Sequence, residues 1–303
     1  MDDLLRLFEK PETEELYMIA GWRQWADAGA VSSALPGYLV EQTDARKIGE
    51  IRSESFYLFQ IPGTQQFLRP EIKLEAGYRK ELHPKKNEIF YAGDAQRGLV
   101  IFLGDEPHLY VERYAEAFFD IATELRVRRV ATVGGIYATV PYDKDRDISC
   151  NYSLPGMKEE LTEYALKFSD YEGGVSIGSY LLDHAERLGI EYLVFYAFVP
   201  MYDLTQLAPQ LRMVSIEQDW KAWHDVMRRL NYMFRLGLDL SDLERKSRDL
   251  EKSFATQIDE LERSMPQARV REYLAKVSEE FTEPSFAPLD DVWRKGLDDL
   301  FKE

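Results

Sequence analysis

Cysteine and histidine are scarce in this sequence of 303 residues. Cys150 is the single cysteine, which excludes a disulfide framework within one chain and fits a reducing compartment. The four histidines, His83, His108, His184 and His224, are scattered along the chain, so we expect no zinc site and no other metal centre. We likewise expect no cofactor.

Positive charge is also in short supply. Lysine and arginine number 38 against 54 aspartates and glutamates, a formal net charge of -16. Such a surface repels nucleic-acid phosphates and anionic membranes, so we expect neither as a partner. The longest apolar run, residues 192–201, is about half a membrane span, and the charged N-terminus has no signal-peptide core. These features predict a cytoplasmic protein.

Residues 171–202 form the unit around which the chain is organised. A glycine-rich turn at Gly173 and Gly174 precedes a predicted helix whose apolar residues share one face. Gly189 is placed to cap the end of this helix. The apolar run 190–199 then predicts a strand buried on both faces, ended by Pro200. Turn, helix and strand make half of a βαβ unit.

Two more strand–loop–helix units precede this one. Strands are predicted at residues 16–20, 98–103 and 128–133, and helices at residues 30–41 and 111–125. Between them, segment 55–93 predicts an antiparallel hairpin at the sheet edge, with a mobile tip near residues 83–87. Three such units in series predict an α/β sandwich around a mainly parallel sheet.

After residue 206 the pattern becomes helical. Helices are predicted at residues 211–236, 241–265, 269–281 and 290–301, with a linker at residues 283–288. Residues 241–244 read as a capping box, and the narrow apolar stripe after it fits packing on one other helix. That helix is either residues 211–236 of the same chain or a helix of another subunit. We expect these helices to lie outside the sheet layers.

The sequence therefore predicts two parts. Residues 1–206 form the α/β sandwich domain, and residues 207–303 form a C-terminal helical extension. In a parallel sheet, the loops that leave the carboxyl ends of the strands share one edge, where small molecules bind. The residues expected to line a pocket at this edge are Trp22, Asp27, Asp105, Glu106, Gly134, Gly135, Gly174, Ser176 and Tyr202. His108 and Asp203 are further polar candidates.

Acidic residues at this edge have a structural interpretation as well as a catalytic one. Adjacent acids such as Asp105 and Glu106 can bind a metal or act as an acid and a base. Asp and Glu at loop–helix junctions, however, commonly cap helices, and we prefer that interpretation.

Residues 174–178 match the G-x-S-x-G pattern of a nucleophile elbow. An elbow needs an apolar strand directly before it, whereas residues 167–172 are polar. The structural interpretation is that Ser176 caps the helix, and we assign no catalytic residue. An enzyme would instead use the backbone N–H groups of residues 174–176 to hold an anion or a nucleoside.

Five short motifs occur in a fixed order along the chain. They are Gly21 through Asp27-Ala28-Gly29 with Leu35, Tyr38 and Leu39; Gly104-Asp105-Glu106-Pro107; Gly134-Gly135 with Val140-Pro141; Tyr171-Glu172-Gly173 through Gly178; and Val199-Pro200-Met201-Tyr202. Together they resemble the proteasome assembly chaperone 2-like family, in its bacterial and archaeal branch. The resemblance covers about residues 16–281.

The resemblance implies a three-layer α/β/α sandwich similar to purine nucleoside phosphorylases, followed by C-terminal helices. It also implies self-assembly, with a trimer as the expected homo-oligomer. Two departures from the family stand out. Tyr142 and Met201 replace histidines that often follow each Val-Pro, and the C-terminal residues 300–303 lack the hydrophobic-Tyr-any ending of relatives that dock on proteasomes.

Two functions follow as expectations. The first is a non-catalytic, chaperone-like assembly factor or scaffold that binds itself and an unidentified client protein, as eukaryotic relatives do when they help to build the proteasome α-ring. The alternative is an enzyme of nucleoside phosphorylase or hydrolase type with its site at the carboxyl edge of the sheet.

Overall fold

The structure, a computed structural model, describes residues 4–53, 55–59, 69–283 and 286. A ten-stranded sheet forms its centre, and two further strands form a separate hairpin. The strands are β1 (Leu5–Leu7), β2 (Glu15–Arg23), β3 (Arg46–Ile51), β4 (Glu71–Glu75), β5 (Tyr78–His83), β6 (Glu88–Gly93), β7 (Arg97–Asp105), β8 (Arg129–Ala138), β9 (Ile148–Tyr152), β10 (Lys167–Phe168), β11 (Tyr192–Asp203) and β12 (Met213–Ser215).

The strand order of the sheet is β1-β3-β6-β7-β2-β8-β11-β9-β10, with β12 also paired to β11. Its four central strands, β7, β2, β8 and β11, run parallel to one another. Antiparallel pairs flank them, β6 on β7 at one side and β9 on β11 at the other. The predicted α/β sandwich around a mainly parallel sheet is confirmed.

Helices cover both faces of the sheet. They are α1 (Leu35–Gln42), α2 (Val111–Glu124), α3 (Lys158–Leu161), α4 (Ile177–Leu188), α5 (Trp220–Met233), α6 (Ser241–Ser264) and α7 (Val270–Glu279). Side chains of α2 and α4 share one buried core with Met18 and Ala20 of β2, whereas those of α1 and α5 share the other with Tyr17 and Ile19. This alternation along β2 is what a strand buried on both faces requires.

Helix α5 packs directly on the sheet, so the expectation that all C-terminal helices lie outside the sheet layers is wrong for it. Its Trp223 is fully buried in the same core as the β11 residue Phe195. Helix α6 packs on α5, and α7 packs on α6. Leu243, Phe254 and Ile258 of α6 are buried in the same core as Trp223. The apolar stripe of α6 therefore has its partner within the same chain. A division at residue 206 stays a prediction, and one hydrophobic core is continuous across it.

Some local predictions of strand ends, caps and turns are wrong, because contacts with other parts of the chain determine the structure there. Strand β11 runs past Pro200, which pairs with Ala138 of β8 and accepts a hydrogen bond from the N–H of Ile216. No capping box forms before α6, because Leu240 occupies the N-cap position. The hairpin β4–β5 turns at residues 76–77, not at residues 83–87.

The predicted linker beyond residue 283 and helix 290–301 lie largely outside the described residues. Within the described part of the chain, no helix combines the length and apolarity of a membrane span.

A buried ion pair ties the loop before β9 to α5. Arg146 and Asp219 are both almost completely inaccessible, and the Arg146 Nε–H donates to Asp219 Oδ2 over 2.8 Å. Asp219 also accepts the N–H groups of Lys221 and Ala222 and so caps α5. The Arg146 Nη2 donates to Asp219 Oδ1 over 3.3 Å, and its Nη1 donates to carbonyls of its own loop, including that of Pro141.

Asp219→Ala should lower the free energy of unfolding by about 3–5 kcal/mol, because it leaves a buried arginine without its counter-charge. Asp183→Ala is the control: Asp183 is exposed and pairs with Arg187 one helical turn away, so it should cost less than about 0.5 kcal/mol. Urea unfolding of both variants measures the difference. A loss below about 1 kcal/mol for Asp219→Ala would contradict this account.

Candidate functional site

A cavity of about 680 Å³ opens near the carboxyl ends of β2, β8 and β11, beside the start of α4. Aromatic and aliphatic side chains dominate its lining. The lining residues are Trp25, Ala26, Asp27, Ala28, Gly135, Ile136, Tyr137, Ser149, Asn151, Ser169, Tyr171, Gly174, Val175, Ser176, Ser179, Tyr196 and Phe198. Four residues predicted from the sequence are among them: Asp27, Gly135, Gly174 and Ser176.

The floor of the cavity depends on a close backbone approach at Gly135. Its N–H donates to the carbonyl of Ala26 over 3.0 Å, and the two chain segments pair in parallel at Asp27. A Cβ atom at Gly135 would lie 1.9 Å from the carbonyl oxygen of Ala28, and one at Gly134 would lie 2.8 Å from the Tyr196 ring. The predicted glycine pair therefore allows dense packing at the site.

Asp27 lies at the edge of the cavity and organises the turn that follows β2. Its Oδ1 accepts the N–H groups of Ser32 and Ser33 over 2.8 and 2.9 Å. Burial raises the pKa of Asp27 above its usual value, although these hydrogen bonds oppose the shift. The carboxyl group is thus mainly a cap for the turn before α1.

Three hydroxyl groups form a cluster in the wall of the cavity. The hydroxyl of Tyr196 is 2.7 Å from that of Ser176 and 2.8 Å from that of Ser179. Ser176 occupies the N-cap position of α4, but its side chain makes no capping hydrogen bond, so the predicted capping role is wrong. Its hydroxyl is held by Tyr196 instead. A tyrosine within a buried strand needs a polar partner, and that signal was available in the sequence.

The start of α4 is capped by a carboxylate from another loop. Glu106, which follows β7, accepts the N–H of Ile177 over 2.8 Å and the N–H of Trp25 over 3.2 Å. Burial raises the pKa of Glu106, against the effect of these hydrogen bonds. The positive end of the helix, where sequence reasoning placed a bound anion, is therefore neutralised by the protein itself. Glu106 lies outside the cavity and lines a neighbouring one of about 640 Å³, which Asp27 also lines.

The buried residues Trp22 and Asp105 lie apart from the cavity. The indole N–H of Trp22 donates to the hydroxyl of Tyr114 over 2.8 Å. The carboxylate of Asp105 accepts two N–H groups of Arg23, at 2.8 and 3.0 Å, and the ammonium of Lys85, at 3.0 Å. Both residues hold together the elements that surround the site.

Tyr202 does not line the cavity either and is buried between the sheet and the C-terminal helices. Its hydroxyl donates to the carbonyl of Val140 over 2.6 Å, and its ring lies 6.1 Å from that of Phe254 in α6. His108 accepts the N–H of Leu58, and Asp203 caps a short turn after β11. None of these groups faces the cavity.

The G-x-S-x-G serine has no histidine beside it in the cavity. All four histidines fall within the described residues, and none lines the cavity. The nearest in sequence, His184, pairs with Glu112. Burial raises the pKa of Cys150 to about 12, so this thiol stays protonated. Among the described residues, no group of three or more His, Cys, Asp or Glu is placed to hold a metal ion.

Gly135→Ala should destabilise the protein by about 3 kcal/mol, because the added methyl group meets a backbone carbonyl that cannot rotate away. Gly156→Ala is the matched control, since a Cβ atom there meets nothing within 4 Å. It should change the free energy of unfolding by less than about 1 kcal/mol. Denaturant unfolding measures both values, and equal effects would refute the close approach.

Comparison with known proteins identifies the family. The profile of the PAC2 family matches residues 22–258 of this chain. No functionally curated protein matches the sequence.

Three solved structures illustrate the shared fold. The proteasome-assembly chaperone homologue of Mycobacterium tuberculosis is 22% identical, with a TM-score of 0.67 over 79% of this chain and 94% of that one. A second Mycobacterium tuberculosis protein, of unknown function, is 15% identical, with a TM-score of 0.73 over 91% and 93%. PbaB of Pyrococcus furiosus, an archaeal proteasome activator, is 15% identical, with a TM-score of 0.59 over 83% and 97%. At these identities the structural likeness shows the fold alone. The family profile matches well over half of the sequence, and the chain therefore belongs to the PAC2 family.

Proposed function

We propose that this protein is a non-catalytic, chaperone-like assembly factor or scaffold that acts by binding itself and a client protein. The observation that carries the proposal is the hairpin of β4 and β5. It forms a separate two-stranded sheet, joined by a turn in which Ala76 and Gly77 both have positive φ. An isolated two-stranded hairpin is marginally stable in water and needs further packing.

One face of the hairpin is apolar and open to solvent. Ile72 and Leu74 alternate onto the same face, Leu82 pairs directly with Ile72, and all three are exposed. The opposite face is charged, with an ion pair between Lys73 and Glu81. Contiguous exposed apolar side chains mark protein–protein contact sites, so the apolar face is suited to another protein surface.

The charge of the hairpin favours self-association. Residues 71–83 contain three acids and three bases, a net charge of zero in a chain whose net charge is -16. Two copies of an acidic protein repel one another except where the approaching surfaces are locally neutral. The hairpin meets this condition, and we infer a homo-oligomer, with a trimer as the expected state.

The family supports a role in assembly. Two structural relatives are a proteasome-assembly chaperone homologue and an archaeal proteasome activator, and these descriptions support a protein client. For the present protein we propose that the client is a protein, and we do not name it.

The double substitution Ile72→Asp, Leu74→Asp should convert the oligomer to monomer, because it places charge on the apolar hairpin face. Leu188→Asp is the matched control: Leu188 and Ile72 are both 57% exposed, but Leu188 lies at the far end of α4. Light scattering during size-exclusion chromatography, at micromolar concentration, measures the mass of each variant.

Affinity purification from native cells with mass spectrometry tests for a client protein. It uses the wild type, the double hairpin variant and Leu188→Asp. A stoichiometric partner that is lost only from the hairpin variant supports the proposal. A monomeric wild type would refute self-association, and an oligomer that survives the double substitution would move its interface away from the hairpin.

The second candidate is an enzyme of nucleoside phosphorylase or hydrolase type. The cavity favours it, because it has the size of a small-molecule site and lies at the carboxyl edge of parallel strands. This candidate predicts that nucleosides, alone or with phosphate, raise the melting temperature and release free base on incubation. No thermal shift at millimolar concentration and no base detected by chromatography would count against it.

A further inference from the structure

The cavity at the carboxyl edge is almost without charge. Its lining residues include one ionisable acid, Asp27, and no lysine, arginine or histidine. The N-terminus of α4, a source of positive potential beside it, already holds the Glu106 carboxylate. An anionic ligand would lose its hydration without gaining a counter-charge, so phosphates and carboxylates do not suit this cavity.

The mouth of the cavity is aromatic. Trp25 is 71% exposed and Tyr171 is 65% exposed. The Tyr171 hydroxyl donates to the carbonyl of Gly174 over 3.2 Å, and the Trp25 ring approaches a Gly174 Cβ position to 3.9 Å. Both rings thus lie against the same glycine turn, and Val175 stands beside them. Aromatic faces held in place favour a flat, apolar partner.

The hydroxyl cluster has one proton to spare. Ser176, Ser179 and Tyr196 carry three O–H groups, and two hydrogen bonds join them. Each of these bonds uses one proton, and no other acceptor among the described residues takes the third. One O–H group of the cluster is therefore available to a molecule in the cavity.

We propose that this cavity binds an uncharged aromatic molecule that carries a hydrogen-bond acceptor. The ring lies against Trp25 and Tyr171, and the acceptor receives the spare O–H of the hydroxyl cluster. The volume of about 680 Å³ is typical of small-molecule sites. Binding needs no partner protein, so it is independent of the proposed assembly role.

Three naphthalenes of similar shape test the proposal by equilibrium dialysis. 2-Acetylnaphthalene is neutral and carries a carbonyl acceptor, 2-ethylnaphthalene is neutral and has none, and 2-naphthoate is an anion. We expect 2-acetylnaphthalene to bind one molecule per chain. The ethyl compound should bind about fivefold more weakly, the equivalent of one hydrogen bond. The naphthoate should bind at least about tenfold more weakly, because its carboxylate is desolvated without a counter-charge.

Two sets of variants locate the site. The triple variant Ser176→Ala, Ser179→Ala, Tyr196→Phe removes every hydroxyl of the cluster and should bring the acetyl and ethyl compounds to equal affinity. Val175→Lys, at an exposed position of the lining, adds a cation and should raise naphthoate affinity about fivefold. Leu188→Lys, at a similarly exposed position at the far end of α4, should leave it unchanged.

The affinities of the acetyl and ethyl compounds are compared within each protein. A loss of stability in the triple variant would weaken both compounds and would not by itself make their affinities equal. If the triple variant does not fold, Val175→Lys decides alone, since its side chain is solvent-exposed. The proposal is overturned if 2-acetylnaphthalene does not bind at its solubility limit. It is also overturned if naphthoate binds the wild type as tightly, or if Val175→Lys and Leu188→Lys behave alike.

Discussion

Residues 26–29, directly after β2, are held between two parts of the chain that are distant in sequence. On one side, the N–H of Gly135 donates to the carbonyl of Ala26. On the other, the carbonyl of Gly29 accepts the N–H of Asp219 and the indole N–H of Trp223, both over 3.0 Å. The floor of the cavity is therefore supported by α5 where it packs on the sheet. This helix is part of the architecture of the site and not an appendage to it.

The cavity consequently draws on both hydrophobic cores. Its wall is the start of α4, which packs on the core of α2, whereas its floor is supported by α5 in the opposite core. The cap on α4 comes from Glu106, next to Asp105, whose ion pairs join the ends of β2 and β7 to the segment after the hairpin. These contacts join different elements at the edge, and this gives the site a defined shape.

Much of the fold could be predicted from local pattern, because β2, β7, β8, β11, α2 and α4 bury periodic apolar residues. Gly189 ends α4 in the left-handed conformation, as its position predicted. The site was harder to predict. The sequence predicts that Ser176 caps the helix, but Tyr196, 20 residues later, holds its hydroxyl instead. The cap itself comes from a loop 71 residues earlier. Similarly, the amphipathic pattern of α5 gives its apolar face but not the surface that this face covers.

The hairpin and the cavity are separate surfaces, but the structure connects them. Residues at the base of the hairpin, Glu71 and His83, line the polar cavity that Asp27 and Glu106 also line. A protein bound to the hairpin would contact the segment that carries Lys85, one of the two cations on Asp105. Asp105 is adjacent in sequence to Glu106, whose carboxylate caps α4. Coupling between two sites is reciprocal. If a partner on the hairpin shifts these charged residues, a ligand that orders the start of α4 would favour the same hairpin arrangement that the partner selects.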